Sequence, residues 1–342
     1  MANKTNNLLI IRWLLIVTIL IFLIIIIGGI TRLTGSGLSM VDWKPIMGSI
    51  PPLTHSSWIN TFELYQTSPQ YKLINQAMTL NEFKLIFFWE YLHRILARLI
   101  GLALIIPYII LGLKKYIPRW LNKRILIMIG LVIFQGVLGW YMVKSGLVNK
   151  PEVSHFRLAA HLVTALLLLQ YIIWTLLDLT KEKVHQAHQL AIPTALWSIG
   201  ILLQIIYGAF TAGKKAGWGY NTYPKMGESW LPESAFMYPE NNIFDNPVMI
   251  QFIHRHLGIV LGVLLLILWI KIIKNKENHL TLKKAATYVL MILLVQIILG
   301  ILTLILKVPI ELAILHQLTG AILLSSITYL NYTLFNKTMW KK

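Results

Sequence analysis

Eight long apolar runs set the strongest limit on how this chain of 342 residues can fold. A helix that crosses a bilayer needs about 20 apolar residues, and each run comes close to that length or exceeds it. Because a backbone in lipid must satisfy its hydrogen bonds internally, the runs predict eight transmembrane helices and an all-α polytopic membrane protein. The runs cover residues 13–33, 83–113, 124–144, 155–178, 189–212, 247–272, 285–306 and 310–335.

Charged residues are few and unevenly placed along the chain. They make up 13% of the sequence, whereas soluble domains carry about 25%. The net charge is +18, and the lysines and arginines cluster at both ends and after the second, fourth and sixth runs. By the positive-inside rule we expect these segments in the cytoplasm, in contact with anionic lipid head groups and not with nucleic acid.

The first apolar run follows a short polar segment. The run is longer than the apolar part of a cleaved signal, and the segment before it is not an Arg- and Ser-rich transit peptide. We therefore expect an uncleaved first span in the inner membrane of a bacterial cell, with both termini in the cytoplasm.

Cysteine is absent from the sequence. Disulfides, thiolate metal sites, iron–sulfur clusters and a cysteine nucleophile are therefore excluded. Any metal must be held by histidine or carboxylate ligands, and the chain contains ten histidines.

Three motifs recur in the same order in the two halves of the chain. The pairs are His93-Arg94 with His254-Arg255, Gln135–Gly139 with Gln296–Gly300, and His161–Thr164 with His316–Thr319. Each half has four spans, an even number, so both halves enter the membrane in the same orientation. We predict two tandem four-helix bundles, residues 1–183 and 184–342, related by a pseudo-two-fold axis along the membrane normal.

Two outward connections, about 34–82 and 213–246, are long and rich in Pro, Gly, Trp and Tyr. They also resemble each other, since Lys44–Gly48 is similar to Tyr223–Gly227. Loops of this length are usually functional or disordered, and aromatic residues suit the lipid–water interface. We expect both connections to form ordered caps.

Each span that runs from the outer face inward carries one histidine of a matched set. The set is His93, His161, His254 and His316, each roughly two turns from the outer end of its span, so we expect one shared depth. Two imidazoles facing each other across a bundle suit the axial positions of a haem iron, whereas a compact zinc site takes more ligands. The sequence predicts two haem irons toward the outer face, one held by His93 and His161 and one by His254 and His316. The alternative for such histidines is a hydrogen bond between helices.

Glu90 distinguishes the first half from the second. It lies one helical turn before His93 on the same face of the helix, and the second half has Gln251 at the matching position. A carboxylate can exchange protons whereas an amide cannot, so we predict a catalytic role for Glu90. The alternative is a structural ion pair with Arg94 or Arg98.

Arg94 and Arg255 directly follow their histidines. Arginine binds carboxylates in a bidentate way, so both are candidates to hold haem propionates. The alternative is that their side chains reach the lipid head groups. Gln135 and Gln296, near mid-membrane, are expected to bridge helices.

Together these motifs resemble the heme A synthase family. The resemblance covers nearly the whole chain, through the eight spans, the Glu-x-x-His-Arg motif at Glu90–Arg94 and the three further histidines on alternate helices. The stretches Gly28–Ser39, Gln135–Gly139 and Ser145–Leu147 are also similar to the family. Some members of the family carry paired cysteines in their outer loops. This chain has no cysteine, so it resembles a cysteine-free branch of the family.

The resemblance implies a reaction and a cofactor. A heme A synthase oxidises a methyl group of heme O to a formyl group, by successive hydroxylations and loss of water, to supply heme A for cytochrome oxidase. The resemblance also implies that His93 and His161 hold the substrate haem, and that His254 and His316 hold a permanent heme b that passes electrons. An electron donor and the enzyme that makes heme O are the implied membrane partners, and the oligomeric state stays open.

Two other function classes fit part of the pattern. A di-heme b membrane cytochrome that only carries electrons explains the four histidines but gives no role to the difference between Glu90 and Gln251. A transporter with a histidine-lined pathway explains the repeat but not the shared depth of the histidines.

Overall fold

A computed structural model describes residues 2–42, 50–148, 151–184, 187–237 and 243–340. Ten α-helices follow one another in this part of the chain. They are α1 (Ala2–Leu33), α2 (His55–Gln66), α3 (Pro69–Leu73), α4 (Leu80–Leu113), α5 (Arg119–Lys144), α6 (His155–Thr180), α7 (Ala191–Gly213), α8 (Pro247–Lys274), α9 (Leu280–Ile305) and α10 (Ile310–Phe335).

All of these helices except α2 and α3 are long enough and apolar enough to cross a membrane. Each predicted run falls on one of the eight, which confirms the all-α polytopic architecture. The described residues depart from it in one short antiparallel ribbon, in which β1 (Lys181–Val184) pairs with β2 (Lys337–Trp340).

Helix contacts divide the chain into two compact units. One comprises Ile16–Thr164, and the other comprises Met1–Leu15 together with Ala165–Lys342. The predicted boundary between residues 183 and 184, and the pseudo-two-fold axis, stay predictions.

In the unit that contains the second half of the chain, four helices form a closed ring. Helix α7 packs against α8, α8 against α9, α9 against α10, and α10 against α7. The indole N–H of Trp197 donates a 2.8 Å hydrogen bond to the carbonyl of Leu261 across the first of these contacts. Gly200 allows the close approach, since a Cβ there would lie 2.6 Å from Leu261 Cδ2.

In the other unit, α4 begins earlier than its apolar run suggests because of its N-terminal sequence. Thr79 and Glu82 form a capping box, in which each side chain accepts the backbone N–H of the other residue. This extends α4 toward the outer connection and presents Phe83 and Phe87 to the helices there.

Helices α2 and α3 fold over this end of α4 through an outer aromatic cluster. Tyr65, Phe83 and Phe87 are buried at its centre, and Trp58, Phe62 and Tyr71 pack around them. The Tyr65 and Phe83 rings stack with centroids 5.0 Å apart. Burial away from water raises the pKa of the Tyr65 hydroxyl, although the Asn75 amide donates a 2.7 Å hydrogen bond to its oxygen.

The expectation of ordered caps is therefore confirmed for the described part of both outer connections. The second connection contains two 3₁₀ turns, Ala216–Trp218 and Glu233–Ala235. The stretch Lys44–Gly48, which the sequence relates to Tyr223–Gly227, lies outside the described residues.

Phe83→Ala should loosen the first cap, because it empties the centre of the outer aromatic cluster. Replacing a buried Phe by Ala typically costs about 3–5 kcal/mol. We expect a lower unfolding temperature in detergent and faster proteolysis between residues 50 and 79. Leu85→Ala is the matched control, since Leu85 is 67% exposed on the same helix. Equal effects of the two substitutions would contradict the role given to the cluster.

Candidate functional site

The four predicted haem ligands all lie on long apolar helices. His161, His254 and His316 follow the first residues of α6, α8 and α10 by six or seven positions, whereas His93 lies thirteen positions into α4. The difference arises because the capping box starts α4 early. The expectation of a single depth for all four stays a prediction.

The structure brings the imidazole rings of His254 and His316 close together. Their ring centroids are 6.4 Å apart, and the ring planes are perpendicular. A metal–imidazole bond of about 2 Å, added to about 1 Å from nitrogen to ring centre on each side, gives a span of roughly 6 Å. The pair is therefore spaced to accept one metal ion between the rings.

Hydrogen bonds to Gln296 hold the ring of His316. The Nδ1–H of His316 donates a 3.1 Å bond to the Gln296 carbonyl, and Nε2 of His316 lies 3.5 Å from the Gln296 side-chain nitrogen. A ligating histidine typically uses one ring nitrogen for such a backbone bond and the other for the metal. The buried Nδ1 of His254 has no hydrogen-bond partner within the described part of the chain.

The pairing of His93 with His161 stays a prediction. Nδ1 of His161 is buried and has no hydrogen-bond partner among the described residues. No group of three or more His, Cys, Asp or Glu side chains able to hold a metal occurs in the described ranges.

Each of the four imidazoles lies against a glycine of the preceding membrane-spanning helix. A Cβ added to these glycines would approach the histidine ring to between 2.8 and 3.4 Å. At 3.4 Å, the value for Gly139, the contact would be an ordinary one, whereas at the other three glycines a side chain would crowd the ring. The pairs are Gly28 with His93, Gly139 with His161, Gly208 with His254, and Gly300 with His316.

Glutamines one turn away from three of these glycines bind the same histidines. The Gln135 amide donates to the His161 carbonyl at 3.2 Å, and the Gln204 amide donates to the His254 carbonyl at 2.8 Å. Together with the His316–Gln296 contacts, these bonds confirm that Gln135 and Gln296 bridge helices. Gln204 was not singled out from the sequence, although its Gln-x-x-x-Gly spacing matches the other two.

Glu90 is 3% exposed and is held by three groups. Its Oε2 accepts the Ser39 hydroxyl at 2.7 Å and the Met40 backbone N–H at 2.9 Å. Its Oε1 accepts the Arg94 guanidinium at 2.6 Å. The ion pair that the sequence left as an alternative is thus formed, and the carboxylate also fastens the backbone that follows α1.

The matching residues of the second half fasten the second outer connection in the same way. The Gln251 amide donates to the Tyr220 carbonyl at 3.2 Å. Arg255 donates to the carbonyls of Tyr220 at 2.5 Å, Thr222 at 2.7 Å and Lys225 at 3.2 Å. In the first half the outer connection donates hydrogen bonds to the Glu90 carboxylate. In the second half a carbonyl of the outer connection accepts a hydrogen bond from the Gln251 amide.

The arginines therefore have a role that the sequence did not reveal. Arg94 also donates to the Met40 carbonyl at 3.0 Å, so both arginines hold outer-loop backbone. Arg98, one turn further along α4, donates to the Arg94 carbonyl at 2.9 Å. The buried Nε of Arg255 has no hydrogen-bond partner among the described residues, and the expected contact of both arginines with propionates stays a prediction.

Comparison with known proteins identifies the family. Residues 11–328 match the sequence profile of the COX15-CtaA family, described as cytochrome oxidase assembly protein. The chain belongs to this family.

Curated relatives of this COX15-CtaA chain carry one name. The heme A synthase of Nitrosospira multiformis is 40% identical over 94% of this chain and 92% of its own length. The bovine heme A synthase COX15 is 43% identical over 92% of this chain and 79% of its own length. The human heme A synthase COX15 is 43% identical over 91% and 80%, respectively. These names favour the enzyme over an electron-carrying cytochrome or a transporter.

Arg255→Lys should release the second outer connection, because an ammonium cannot reproduce the planar fork that reaches three carbonyls. We expect proteolysis between residues 214 and 237 to accelerate several-fold while the helices stay folded. Arg157→Lys is the control, since Arg157 also donates to a backbone carbonyl, that of Tyr141, but at an exposed position. An unchanged cleavage rate in the Arg255 variant would contradict the anchoring role.

Proposed function

We propose that this COX15-CtaA protein is a heme A synthase, which oxidises a methyl group of heme O to a formyl group. We place it in the inner membrane of a bacterial cell, with both termini cytoplasmic and both haem sites toward the outer face. Its membrane partners in this proposal are an electron donor and the enzyme that supplies heme O.

The observation that carries the proposal is the His254–His316 pair. Its 6.4 Å ring separation fits a bis-histidine haem iron, and the Gln296 carbonyl orients one of the two rings. We assign these residues to a resident heme b. When bound, the two haems supply the redox chemistry of the methyl oxidation.

We assign the other pair, His93 and His161, to the substrate haem. Both rings have the same glycine support as the heme b pair, so the two halves share one means of placing a ligand. The feature that separates them is the carboxylate one turn from His93.

Glu90 is the residue we assign to proton exchange at the substrate site. Arg94, the Ser39 hydroxyl and the Met40 N–H all donate hydrogen bonds to its carboxylate. A carboxylate that accepts a proton must give up part of this network, and the Ser39 hydroxyl can turn to accept where it now donates. Gln251 has no corresponding capacity.

The arginines hold the caps that lie over the two sites, and they remain candidates for propionate contact. Arginine carries further N–H groups in its fork beyond those already bonded, and the buried Nε of Arg255 has no partner among the described residues. Propionates directed to the outer face would meet these groups, since charged groups are costly deeper in the bilayer.

Glu90→Gln tests the catalytic assignment. An amide oxygen can still accept the Met40 N–H, so the cap should stay closed, but the side chain can no longer titrate. We expect retained heme b spectra, unchanged proteolysis of the first cap, and heme A output reduced about a hundredfold or more. Glu90→Ala should give the same output with a looser cap.

The control for Glu90→Gln is Gln251→Glu, which makes the reverse exchange at the matching position of the second half. Gln251→Glu should not raise heme A formation when made alone, and it should not restore heme A formation when combined with Glu90→Gln. Normal heme A output from Glu90→Gln or from Glu90→Ala would refute the assignment.

His316→Ala tests the heme b assignment by removing one of the two axial ligands. We expect the purified protein to lose the low-spin spectrum of the resident haem and most of its heme b on extraction. Replacement of His256, which points elsewhere and contacts the Phe252 carbonyl, should leave both unchanged. An unaltered haem content and spectrum in His316→Ala would show that the pairing is wrong.

A further inference from the structure

One of the four glycines that lie against the histidines differs from the others in the residue one turn before it. On α5, α7 and α9 the supporting glycine is preceded, one turn earlier, by Gln135, Gln204 or Gln296. On α1 the residue one turn before Gly28 is Ile24. Helical spacing of four residues places Ile24 on the same face as Gly28, and a Cβ on Gly28 would lie 3.1 Å from Nε2 of His93.

The three glutamines show what the α1 position lacks. Two of them reach the carbonyl of the histidine they accompany, at 3.2 and 2.8 Å, and the third contacts the His316 ring. In the second half the Gln204 amide also packs against Gly258, and the Gln296 amide packs against Gly320, each one turn beyond a histidine. Next to both proposed heme b ligands, His254 and His316, a glutamine amide therefore fills the space one turn closer to the bilayer centre.

Ile24 makes the corresponding region beside His93 apolar. The residue is half-buried, it offers no hydrogen-bonding group, and it lies about 6 Å from Gly28 along the helix axis. In the proposed orientation α1 runs outward, so Ile24 is on the side of His93 nearer the bilayer centre. The deep side of the His93 position is therefore apolar, whereas the other three positions, including that of His161 in the same site, have an amide.

The two haems of the proposed function differ in how apolar one of their edges is. Heme O carries a hydroxyethylfarnesyl chain where heme b carries a vinyl group, and both carry propionates on the opposite edge. With propionates toward the outer face, the farnesyl-bearing edge points to the bilayer centre. Apolar chains gain from apolar surroundings, whereas a buried amide without a partner is costly.

We propose that Ile24 is a specificity-determining residue that lets the His93 site prefer heme O over heme b. This inference rests on the proposed assignment of His93 and His161 to the substrate haem. Ile24 acts by leaving an apolar wall for the isoprenoid chain, and it takes no part in ligation or proton transfer.

The test compares binding of heme O and heme b at the His93 site. Purified protein that retains its resident heme b is titrated with each haem, and Soret difference spectra give the ratio of the two Kd values. Ile24→Gln installs the amide of the other three positions and should lower the preference for heme O about tenfold. Ile24→Phe stays apolar, which preserves membrane insertion, and should also lower the preference by occupying the space of the chain.

Leu23→Gln is the matched control, because Leu23 is the neighbouring residue and is 43% exposed on another face of α1. It should bind both haems as the unaltered protein does. An unchanged ratio in both Ile24 variants, or an equal fall in Leu23→Gln, would overturn the inference.

The titration also separates this inference from the proposed function. If the unaltered protein binds heme O no more tightly than heme b, the assignment of a substrate haem to this site fails, and the role of Ile24 fails with it. If the unaltered protein prefers heme O and the Ile24 variants keep that preference, the proposed function stands and only the role of Ile24 is refuted.

Discussion

The cost of keeping polar side chains in lipid governs how this protein is built. Each intramembrane imidazole is placed against a glycine of a neighbouring helix, so backbone contact fixes where the ring lies. Glutamines on three helices occupy the next turn and bind the histidine carbonyl or ring. Polar groups that would each be expensive alone are thus held by contacts to neighbouring helices.

The Glu-x-x-His-Arg motif and its copy anchor the two outer connections in a similar way. In both halves the first and last residues of the motif bind outer-loop backbone, and the histidine faces inward. The difference between Glu90 and Gln251 follows the polarity of the backbone that each meets, an N–H at Met40 and a carbonyl at Tyr220. A residue that anchors a cap can therefore also give its site the capacity to exchange a proton.

Much of this architecture follows from the sequence because hydropathy and capping are local. The eight spans, the ordered caps and the closeness of His254 to His316 were predicted, whereas the pairing of His93 with His161 stays a prediction. The loop contacts of Arg94 and Arg255 were not, since they depend on where a distant carbonyl comes to lie. The Glu90–Arg94 ion pair was foreseen only as an alternative. Gln204 and the supporting glycines could have been found, because the Gln-x-x-x-Gly spacing recurs on three helices.

The glycine supports limit which substitutions the neighbouring helices tolerate. A methyl group at Gly300 would lie 2.8 Å from the His316 ring, and one at Gly208 would lie 3.0 Å from the His254 ring. Even alanine at either position would therefore displace an imidazole. The place of each of these two rings is controlled from another helix, by a residue that has no functional group of its own.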